Sequence, residues 1–405
     1  MTSKNLFVWI WLPQHKEPTI MGRLRFDAQG YSFVYGKNYL SNPHAISLDP
    51  QILPLQSMRF GPQKNLFYSL RDASPDAWGR RVLLYRQGFS SNSDTNLISE
   101  LDYLLQGSDA RIGALHFQNT SEDYQALPVQ RASLQELLEA SEAILKGENL
   151  SASWLDAIQH GTSIGGARPK VTLEYHQAPW IAKFSTQTDT FPVVRQEALG
   201  MELARRLNIH TAENQLTQVL KKDVLLIRRF DRDNQGLHRH MISGLTALQL
   251  DEMEARYASY PQLAEFIWKY GREPKKQCEE LYRRMVFNIL IGNTDDHARN
   301  HAFFWNGQEA ELTPAYDVSI LSRIGEEASQ AMIIGDQGTF SSRSNALSKC
   351  PSFGLSIARA SNIFDEFIES IHHHWKEACE VAHLTENEQN NLMGRAVLSP
   401  MVMKR

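Results

Sequence analysis

The chain has 405 residues, of which 42% are hydrophobic and 22% are charged. This composition is ordinary for a globular protein and excludes a mainly disordered chain. The length favours two or three domains rather than one. Lys and Arg number 42 against 46 Asp and Glu, which gives a formal net charge of −4. The chain therefore lacks the overall basic charge of a general nucleic-acid binder.

The cysteines and the apolar N-terminal stretch both predict a cytoplasmic protein. Cys278, Cys350 and Cys379 form no CxxC motif and have no metal-ligand spacing, which favours reduced thiols. The apolar run from Leu6 to Leu12 is much shorter than the roughly 20 residues of a membrane-spanning helix, and it lacks a small-residue cleavage site. We interpret this run as a β-strand and expect no membrane association.

Residues 1–120 are predicted to form a β-rich N-terminal subdomain. Residues 23–26 and 31–35 show the period-two alternation of strands on either side of a short turn, which is typical of a hairpin. Residues 111–117 also match a strand. The polar, non-periodic stretch 119–128 then marks a domain boundary.

Capping residues predict two helix starts. Ser74 is predicted to cap a helix that has Pro75 at its first position. Ser133 is predicted to cap a second helix. Glu136 completes a capping box there, which is a reciprocal pair of hydrogen bonds between side chains and backbone N–H groups.

Beyond residue 120 the order of elements is that of a kinase-like fold. A glycine-rich turn, two strands, a helix and a further strand are predicted at 161–170, 171–175, 180–184, 194–207 and 223–227. Most of the sequence after residue 240 is predicted to be helical. We therefore expect an α+β, kinase-like, two-lobed fold with three domains. These are the N-terminal subdomain (1–120), a small lobe (121–240) and a helical lobe (241–405).

The clearest chemical pattern lies in residues 289–304, I-L-I-G-N-T-D-D-H-A-R-N-H-A-F-F. The apolar residues of 281–289 have helical spacing, and Gly292 is predicted to end that helix. Asp295 and Asn300 are separated by four residues, the same gap as in the D-x-x-x-x-N catalytic loop of protein kinases. In that loop the Asp orients the attacking hydroxyl and accepts its proton, while the Asn amide oxygen binds magnesium.

A predicted hairpin connects this loop to Asp317. Its strands are residues 303–305 and 309–312, and Asn306-Gly307 favours a type I′ turn. In kinases a short hairpin leads to the second metal-binding Asp, and Asp317 takes that position. Taken alone, residues 293–297 are equally compatible with a simple turn and helix cap. The hairpin and Asp317 together favour the catalytic interpretation.

A strand lysine and a helix glutamate supply a candidate phosphate site. Lys183 belongs to the predicted strand 180–184, where alternation puts it on the face opposite Ala182 and Phe184. A kinase uses such a lysine on the α- and β-phosphates and pairs it with a helix glutamate. Glu197 is the best candidate because it shares a helical stripe with core residues, so its buried carboxylate needs a partner. The alternative is an exposed glutamate near a helix start.

Two further segments are less specific. Residues 163–170, S-I-G-G-A-R-P-K, include Gly165 and Gly166, which permit close approach to phosphates. They match neither the usual kinase glycine loop nor a Walker A motif. Residues 227–232, I-R-R-F-D-R, leave a strand where a kinase hinge would lie. Their charges are equally compatible with a structural ion-pair network.

Together these motifs resemble the HipA family of serine/threonine kinases, the toxin components of bacterial toxin–antitoxin pairs. The resemblance spans nearly the whole chain. The segments similar to the family's catalytic loop, metal motif, phosphate loop, hinge and N-terminal subdomain are 293–303, 313–317, 163–170, 229–232, and 74–80 with 113–117. The resemblance implies ATP and Mg²⁺ as cofactors.

The resemblance also implies a role for each matching residue. Asp295 becomes the catalytic base, and Asn300 and Asp317 become the magnesium ligands that complete the catalytic set. The implied ATP-binding residues are Gly165, Gly166, Ala167, Arg168, Pro169, Lys170, Lys183, Arg228, Arg229, Phe230, His297, Asn300, Tyr316 and Asp317.

Two adjacent hydroxyl residues bear on regulation, and one residue of the catalytic loop departs from the pattern of some family members. In the family a serine at the place of Ser163 is an inhibitory autophosphorylation site. Thr162 precedes it here, so both hydroxyls remain candidates. Asp296 replaces the small residue that some members have, and the sequence gives no interpretation of it.

A partner and a substrate class follow from the resemblance as well. The family's partner is a small, HipB-like helix-turn-helix antitoxin that carries the operator-DNA contacts, and the net charge of −4 is consistent with that division. The best-known members phosphorylate aminoacyl-tRNA synthetases and so halt translation. Two alternatives remain open: a small-molecule kinase of related fold, and a non-catalytic transcriptional corepressor.

Overall fold

The chain divides into two compact units that are not continuous in sequence. The computed structural model describes residues 5–90, 93–107, 110–126, 132–151, 154–155, 158, 168–186, 189–321 and 327–403. The first unit contains residues 1–186, 217–242 and 304–308. The second unit contains residues 187–216, 243–303 and 309–405. The division into three domains stays a prediction.

A five-stranded antiparallel sheet lies in the N-terminal part of the first unit. Its strands are β1 (Asn5–Ile10), β2 (Thr19–Asp27), β3 (Gly30–Tyr35), β4 (Arg59–Gln63) and β5 (Leu115–Gln118), in the order β4-β3-β2-β1-β5. The predicted hairpin is confirmed, because Asp27 pairs with Gly30 across its turn. In β2, Leu24 is buried whereas Arg23 and Arg25 are exposed. The period-two pattern thus places one face of the strand in the core.

Four helices accompany this sheet: α1 (Lys37–Leu40), α2 (Tyr68–Arg71), α3 (Ala77–Arg86) and α4 (Glu100–Gln106). The prediction that Ser74 caps α3 is wrong. Asp76 is the N-cap, and its carboxylate accepts a hydrogen bond from the Gly79 N–H at 2.8 Å. The Ser74 hydroxyl instead donates to Glu100 at 3.3 Å. Pro75 therefore precedes the helix, because Asp is as good a cap as Ser and Asp76 stands two residues closer to the first helical residue.

A second, four-stranded sheet lies in the part of the chain predicted to form the small lobe. Its strands are β6 (Lys170–Tyr175), β7 (Ala178–Phe184), β8 (Asn214–Val219) and β9 (Lys222–Arg228), in the order β6-β7-β9-β8. Helix α5 (Leu134–Lys146) begins with the predicted Ser133–Glu136 capping box. The helix and the sheet share an apolar core that includes Leu137, Leu138, Ile144, Val171, Trp180, Phe184, Val224 and Leu226.

The second unit is mostly helical, as the sequence predicts. Its helices are α6 (Val193–Arg206), α7 (Gly244–Ala247), α8 (Tyr260–Tyr270), α9 (Pro274–Ile291), α10 (Arg343–Ser348), α11 (Ile357–Val381), α12 (Glu386–Leu392) and α13 (Pro400–Met403). Two ion pairs attach the ends of α6 to the C-terminal helices. Arg195 contacts Glu388 at 2.8 Å, and Arg206 contacts Glu377 at 2.6 Å.

The predicted hairpin belongs to a small sheet of three short strands. They are β10 (Met241–Ser243), β11 (Ala302–Trp305) and β12 (Ala310–Leu312), in the order β10-β11-β12, and β11 and β12 form the hairpin. The two hairpin strands are confirmed, but the type I′ turn is wrong. That turn needs positive φ at both central residues, and only Gly307 has it, at +95°. The Asn306 side chain instead accepts a hydrogen bond from the Gln308 N–H at 2.9 Å. A Cβ on Gly307 would lie 2.7 Å from Cγ2 of Ile46, so close packing also requires the glycine.

Two general features complete the description. Among the helices of the described residues, none is both long enough and apolar enough to cross a membrane. All three cysteines are buried and free. Burial raises the pKa of Cys278 and of Cys379 to about 12, so these thiols stay protonated and are poor nucleophiles.

Candidate active site

Two lysines lie opposite each other on the second sheet of the first unit. Exposure alternates along β7, so Lys183 is half-buried on the face opposite Ala182 and Phe184, as predicted. Its cross-strand neighbour in β6 is Lys170, whose exposed fraction is 3%. Like charges directly opposite each other destabilise a sheet. The two lysines share one face of the sheet, and a phosphate-binding role for them stays a prediction.

The glycine-rich turn before Lys170 falls largely outside the described residues. This applies to the predicted residues Thr162, Ser163, Gly165, Gly166 and Ala167. Arg168 is exposed, and the carbonyl oxygen of Pro169 accepts a hydrogen bond from the Phe184 N–H at 3.3 Å. The end of the turn is therefore joined to the strand that carries Lys183.

A buried ion-pair network follows β9. Arg229 donates from Nε and Nη2 to the carboxylate of Asp231, at 2.9 and 2.5 Å. It also donates to the carbonyl oxygens of Ala110 and Arg111, at 2.6 and 2.9 Å. Burial alone would raise the pKa of Asp231, but the charge and hydrogen bonds of Arg229 outweigh burial and lower it to about 2. The structure thus favours the interpretation of these charges as a structural network.

The backbone of the predicted hinge makes one hydrogen bond of the neighbouring sheet. The Arg229 N–H donates to the carbonyl oxygen of Pro179 at 2.9 Å, which continues the ladder between β7 and β9. The Phe230 ring packs edge-on against Phe304, with 5.9 Å between ring centroids. Adenine binding by residues 228–230 stays a prediction.

In the second unit, α9 ends where the sequence predicts. Gly292 has φ +69°, and a Cβ there would lie 2.7 Å from the carbonyl oxygen of Ala396, so both conformation and space require glycine. Asn293 then donates from its backbone and its side chain to Asn288, at 2.9 and 3.1 Å. The chain leaves the helix abruptly, and Asp295 emerges exposed to solvent.

Two of the three predicted catalytic residues, Asp295 and Asn300, are hydrogen-bonded to each other within the loop. Asn300 has an exposed fraction of 7%, and its N–H donates to the carbonyl oxygen of His297 at 2.8 Å. Its side-chain Nδ2 donates to the backbone carbonyl of Asp295 at 3.2 Å, which leaves the amide oxygen for another ligand. The Nδ1 atom of His297 is buried and has no hydrogen-bond partner among the described residues. His297 can therefore contact a ligand through Nδ1.

The segment that carries Asp317 is attached to this loop. The Tyr316 hydroxyl donates to the carbonyl oxygen of Arg299 at 2.7 Å. The N–H and the C=O of Ala315 both bond to residues 210–212, at 2.7 and 2.9 Å. Asp317 itself has φ +59°, a left-handed conformation that is uncommon outside glycine. Such conformations are held in place by their surroundings and cluster at functional sites.

Helix α6 carries Glu197 and packs on the residue after Asp317. Glu197 has an exposed fraction of 5%, which excludes the alternative of an exposed glutamate. Gly200 meets Val318: a Cβ on Gly200 would overlap the carbonyl oxygen of Val318 and lie 3.1 Å from its carbonyl carbon. The pairing of Glu197 with Lys183 stays a prediction, since the two residues belong to different units.

The residues present fit a magnesium ion. Oxygen atoms of Asn300 and Asp317 are the ligand type that Mg²⁺ prefers, and phosphates and waters usually complete its shell. Asn300, Tyr316 and Val318 line one small cavity, so the loop lies beside the residues that flank Asp317. In the described part of the chain, no three His, Cys, Asp or Glu side chains form a group that would hold a metal by themselves. Magnesium binding by Asn300 and Asp317 stays a prediction.

Sequence reasoning left Asp296 and its contacts without a role. Asp296 has an exposed fraction of 3% and accepts hydrogen bonds from His301 Nε2, at 3.0 Å, and from the Tyr260 hydroxyl. The available signal was an acidic residue directly after Asp295 and a histidine directly after Asn300. Nothing in the sequence pointed to Tyr260.

Comparisons with known proteins agree with this architecture. Residues 162–375 match the HipA-like C-terminal domain, and residues 10–120 match the HipA N-terminal domain. A solved complex of HipA, HipB and operator DNA from a Shewanella oneidensis toxin–antitoxin system superposes with a TM-score of 0.70 at 20% sequence identity. That superposition covers 99% of this chain and 100% of the other.

Two related sequences differ in how much of each chain they match. The serine/threonine-protein kinase toxin HipA of Shewanella oneidensis is 26% identical over 362 residues, which is 80% of this chain and 79% of that protein. A Haemophilus influenzae protein that is provisionally named as a kinase is 30% identical over 181 residues, or 39% of this chain. The chain spans about half of that relative's length, 52%.

The fold is α+β and kinase-like, as the order of elements predicts, and its match to a solved structure extends over almost every residue. The C-terminal family match alone covers more than half of the 405 residues, and the N-terminal match adds a second, separate segment. The chain belongs to the HipA family.

Proposed function

We propose that the chain is an ATP-dependent serine/threonine-protein kinase and the toxin of a HipA–HipB-type pair. One observation carries the proposal. Within the second unit, the exposed Asp295, the buried Asn300 and the segment before Asp317 are linked by the bonds from Asn300 to Asp295 and from Tyr316 to Arg299. This arrangement supports transfer of the γ-phosphoryl group of ATP to a protein hydroxyl.

The residues divide the chemistry among them. Asp295 orients the substrate hydroxyl and accepts its proton, for which its exposed carboxylate is accessible. Asn300 and Asp317 would hold Mg²⁺, which would supply positive charge to neutralise the phosphates. Lys170 and Lys183 bind phosphate oxygens from the same face of their sheet.

The remaining assignments rest on the family resemblance. Glu197 pairs with Lys183, the backbone of residues 228–230 takes the adenine, and His297 and Tyr316 line the nucleotide. Residues 165–170 form the phosphate loop. Phosphorylation of Ser163 or Thr162 adds about −1.5 to −2 charges next to ATP and so inhibits the enzyme.

Membership of the family also suggests the partners. We propose a HipB-like helix-turn-helix antitoxin that neutralises the chain and carries most of the contacts to operator DNA. The net charge of −4 supports this division, because the chain has no excess of basic residues. The proposed substrate is a cytoplasmic protein hydroxyl, with an aminoacyl-tRNA synthetase as the first candidate, and its phosphorylation arrests growth.

The decisive experiment measures Mg²⁺-dependent ATP turnover by the wild type, Asp295→Asn and Asp317→Asn. An arginine finger alone contributes about 10³–10⁵ to related transfers, so loss of either carboxylate should reduce turnover at least about 10³-fold. Asp336→Asn is the matched control, because Asp336 is an exposed carboxylate that contacts Lys349 at 2.7 Å. Equal turnover in all four proteins would refute the assignment.

Labelled ATP and growth assays separate the alternatives. Label transferred to a protein supports the proposal, label transferred to a small molecule supports the small-molecule kinase, and no turnover supports the corepressor. Expression without antitoxin should arrest growth, and Asp295→Ala should relieve the arrest. Equal growth with both forms would remove the toxin assignment.

A further inference from the structure

A buried polar cluster joins two residues of the predicted catalytic loop to a residue outside it. The Asp296 cluster consists of Asp296, His301 and Tyr260, whose exposed fractions are 3%, 2% and 0%. Both donors reach the same carboxylate oxygen: His301 Nε2 lies 3.0 Å from Oδ2, and the Tyr260 hydroxyl donates to Oδ2 as well. Because a carboxylate oxygen accepts in this contact, Nε2 of His301 is the donor and carries a proton.

The cluster coincides in sequence with the proposed catalytic residues. Asp296 directly follows Asp295, and His301 directly follows Asn300. The hydrogen bond between Asp296 and His301 joins residues five positions apart, which is also the separation between Asp295 and Asn300. Each of these two buried side chains therefore belongs to the residue directly after a proposed catalytic residue.

Two elements outside the loop anchor the cluster. Tyr260 is the first residue of α8, and its N–H donates to the carbonyl oxygen of Ile333 at 3.0 Å. The carbonyl oxygen of His301 accepts a hydrogen bond from the Gly244 N–H, at the start of α7, at 2.7 Å. The Tyr260 and His301 rings also meet edge-on, with 5.4 Å between centroids. The base of the loop is thus fixed to α7 and α8 in addition to its own internal bonds.

We infer that Asp296, His301 and Tyr260 are positioning residues, which fix the distance between the Asp295 carboxylate and the Asn300 amide for phosphoryl transfer. This inference rests on the proposed kinase function. Apolar side chains would fill the same space, but their contacts are not directional. Hydrogen bonds to one carboxylate oxygen impose both distance and angle on the two ends of the loop. Both donors of the cluster, His301 Nε2 and the Tyr260 hydroxyl, are satisfied by Asp296, whereas Nδ1 of His301 has no partner among the described residues.

Kinetics of Asp296→Ala, Asp296→Asn and a control test the inference. Loss of a supporting contact around a metal site typically costs about 10–100-fold in activity, and we expect that fall in kcat for Asp296→Ala. The KM for ATP should change less than kcat, since Lys170 and Lys183, the proposed phosphate-binding lysines, lie in the first unit and keep their positions. Asp296→Asn should recover most of kcat, because one amide oxygen accepts both bonds.

Asp49→Ala is the matched control. Asp49 is a fully buried carboxylate in the first unit, so its loss should lower stability without changing kcat. If Asp296→Ala lowers the unfolding midpoint as Asp49→Ala does and leaves kcat unchanged, the cluster only stabilises the core and the inference is overturned.

Hydrogen exchange provides a readout that does not need activity. Amides of residues 293–303 should exchange faster in Asp296→Ala than in the wild type or Asp296→Asn, and unchanged exchange overturns the inference. If the wild type transfers no phosphate, the proposed function fails, and exchange alone decides whether the cluster orders the loop.

A second pair of variants covers failure of Asp296→Ala to fold. His301→Gln keeps an N–H donor for Asp296, whereas His301→Phe keeps the ring and loses the donor. Slower turnover and faster exchange in His301→Phe than in His301→Gln support the inference. Identical behaviour of the two variants overturns it.

Discussion

Gly200 and Val318 are in direct contact, and the contact exists because residue 200 has no side chain. A Cβ there would overlap the carbonyl oxygen of Val318. Glu197 precedes Gly200 by three residues on α6, and Asp317 directly precedes Val318. One glycine therefore sets the spacing between the helix that carries one predicted site residue and the segment that carries another.

We expect Gly200→Ala to destabilise the protein and reduce turnover. In a helix interior Ala normally stabilises relative to Gly by about 0.5–1 kcal/mol. Here the added methyl group displaces Val318 and, with it, Asp317, so the sign should reverse. Urea unfolding and ATP turnover measure the two effects. In the control Gly36→Ala, φ is −66° and the nearest atoms to the new Cβ lie at 3.6 and 3.9 Å, so neither quantity should change much. A gain in stability for Gly200→Ala would contradict the contact.

The left-handed backbone at Asp317 predicts that substitutions there differ in stability but not in activity. Asn tolerates this conformation, whereas the β-branched Val does not, and a left-handed residue without that tolerance costs about 1–2 kcal/mol. Asp317→Asn should unfold near the wild-type midpoint, and Asp317→Val should unfold earlier. Both should lose phosphoryl transfer. Equal unfolding midpoints for the two variants would show that the conformation relaxes freely.

The buried pair of Arg229 and Asp231 predicts a large structural effect from the hinge segment. Removing one partner of a buried pair typically costs about 3–5 kcal/mol. Arg229→Met should therefore lower the free energy of unfolding by that order, while Arg229→Met with Asp231→Leu should restore much of it. The control is Arg228→Met, because Arg228 is partly exposed and its guanidinium donates to the side-chain oxygen of Asn234 at 3.4 Å, a long contact for a hydrogen bond. Equal losses for Arg228→Met and Arg229→Met in urea unfolding would contradict the network.

Acidification should destabilise the first unit through His238. The ring stacks on Trp11 with 4.1 Å between centroids. Burial, and next the charge of Arg232, lower the pKa of His238 from 6.5 to about 3. Between these values the unfolded chain binds a proton that the folded chain does not. The free energy of unfolding should therefore fall as pH drops from 6.5 towards 3, by at most about 1.4 kcal/mol per pH unit for one group. His240, also buried, shifts in the same direction.

Urea unfolding at pH 7, 6 and 5, followed by tryptophan fluorescence, measures this dependence. His238→Phe keeps an aromatic ring on Trp11 but removes the titration, so its pH dependence should be weaker than that of the wild type. His44→Gln, at an exposed histidine, is the matched control and should keep the wild-type dependence. An unchanged slope in His238→Phe would show that His238 is not responsible.

Features with local causes were predictable from the sequence. Gly292 ends α9 because the left-handed C-cap and the helical spacing before it lie within a few residues of each other. The Ser133–Glu136 capping box and the alternation around Lys183 are local in the same sense. The first two signals define an end of a helix, and the third defines the face of β7 on which Lys183 lies.

Features that depend on distant partners were not predictable. Val318 is far from Gly200 in sequence, and Tyr260 is 36 residues from Asp296, so no periodicity encodes either contact. The Ser74 prediction failed because two good caps stood two residues apart, and the hydroxyl of Ser74 instead pairs with Glu100, 26 residues away. At Asn306 a longer connection and the neighbouring Ile46 overrode the turn preference of the Asn-Gly pair.

The discontinuous first unit has a consequence for synthesis on the ribosome. The indole N–H of Trp305 donates to the carbonyl oxygen of Ser47 at 3.0 Å, and these two residues of the first unit are 258 positions apart. At about 5–20 residues per second, the ribosome needs roughly 13–50 s to add the intervening chain. The N-terminal sheet can form early, but its unit is completed only after the proposed catalytic loop has been made. A nascent chain that stops before residue 304 therefore lacks part of both units, so partial translation products should not be toxic.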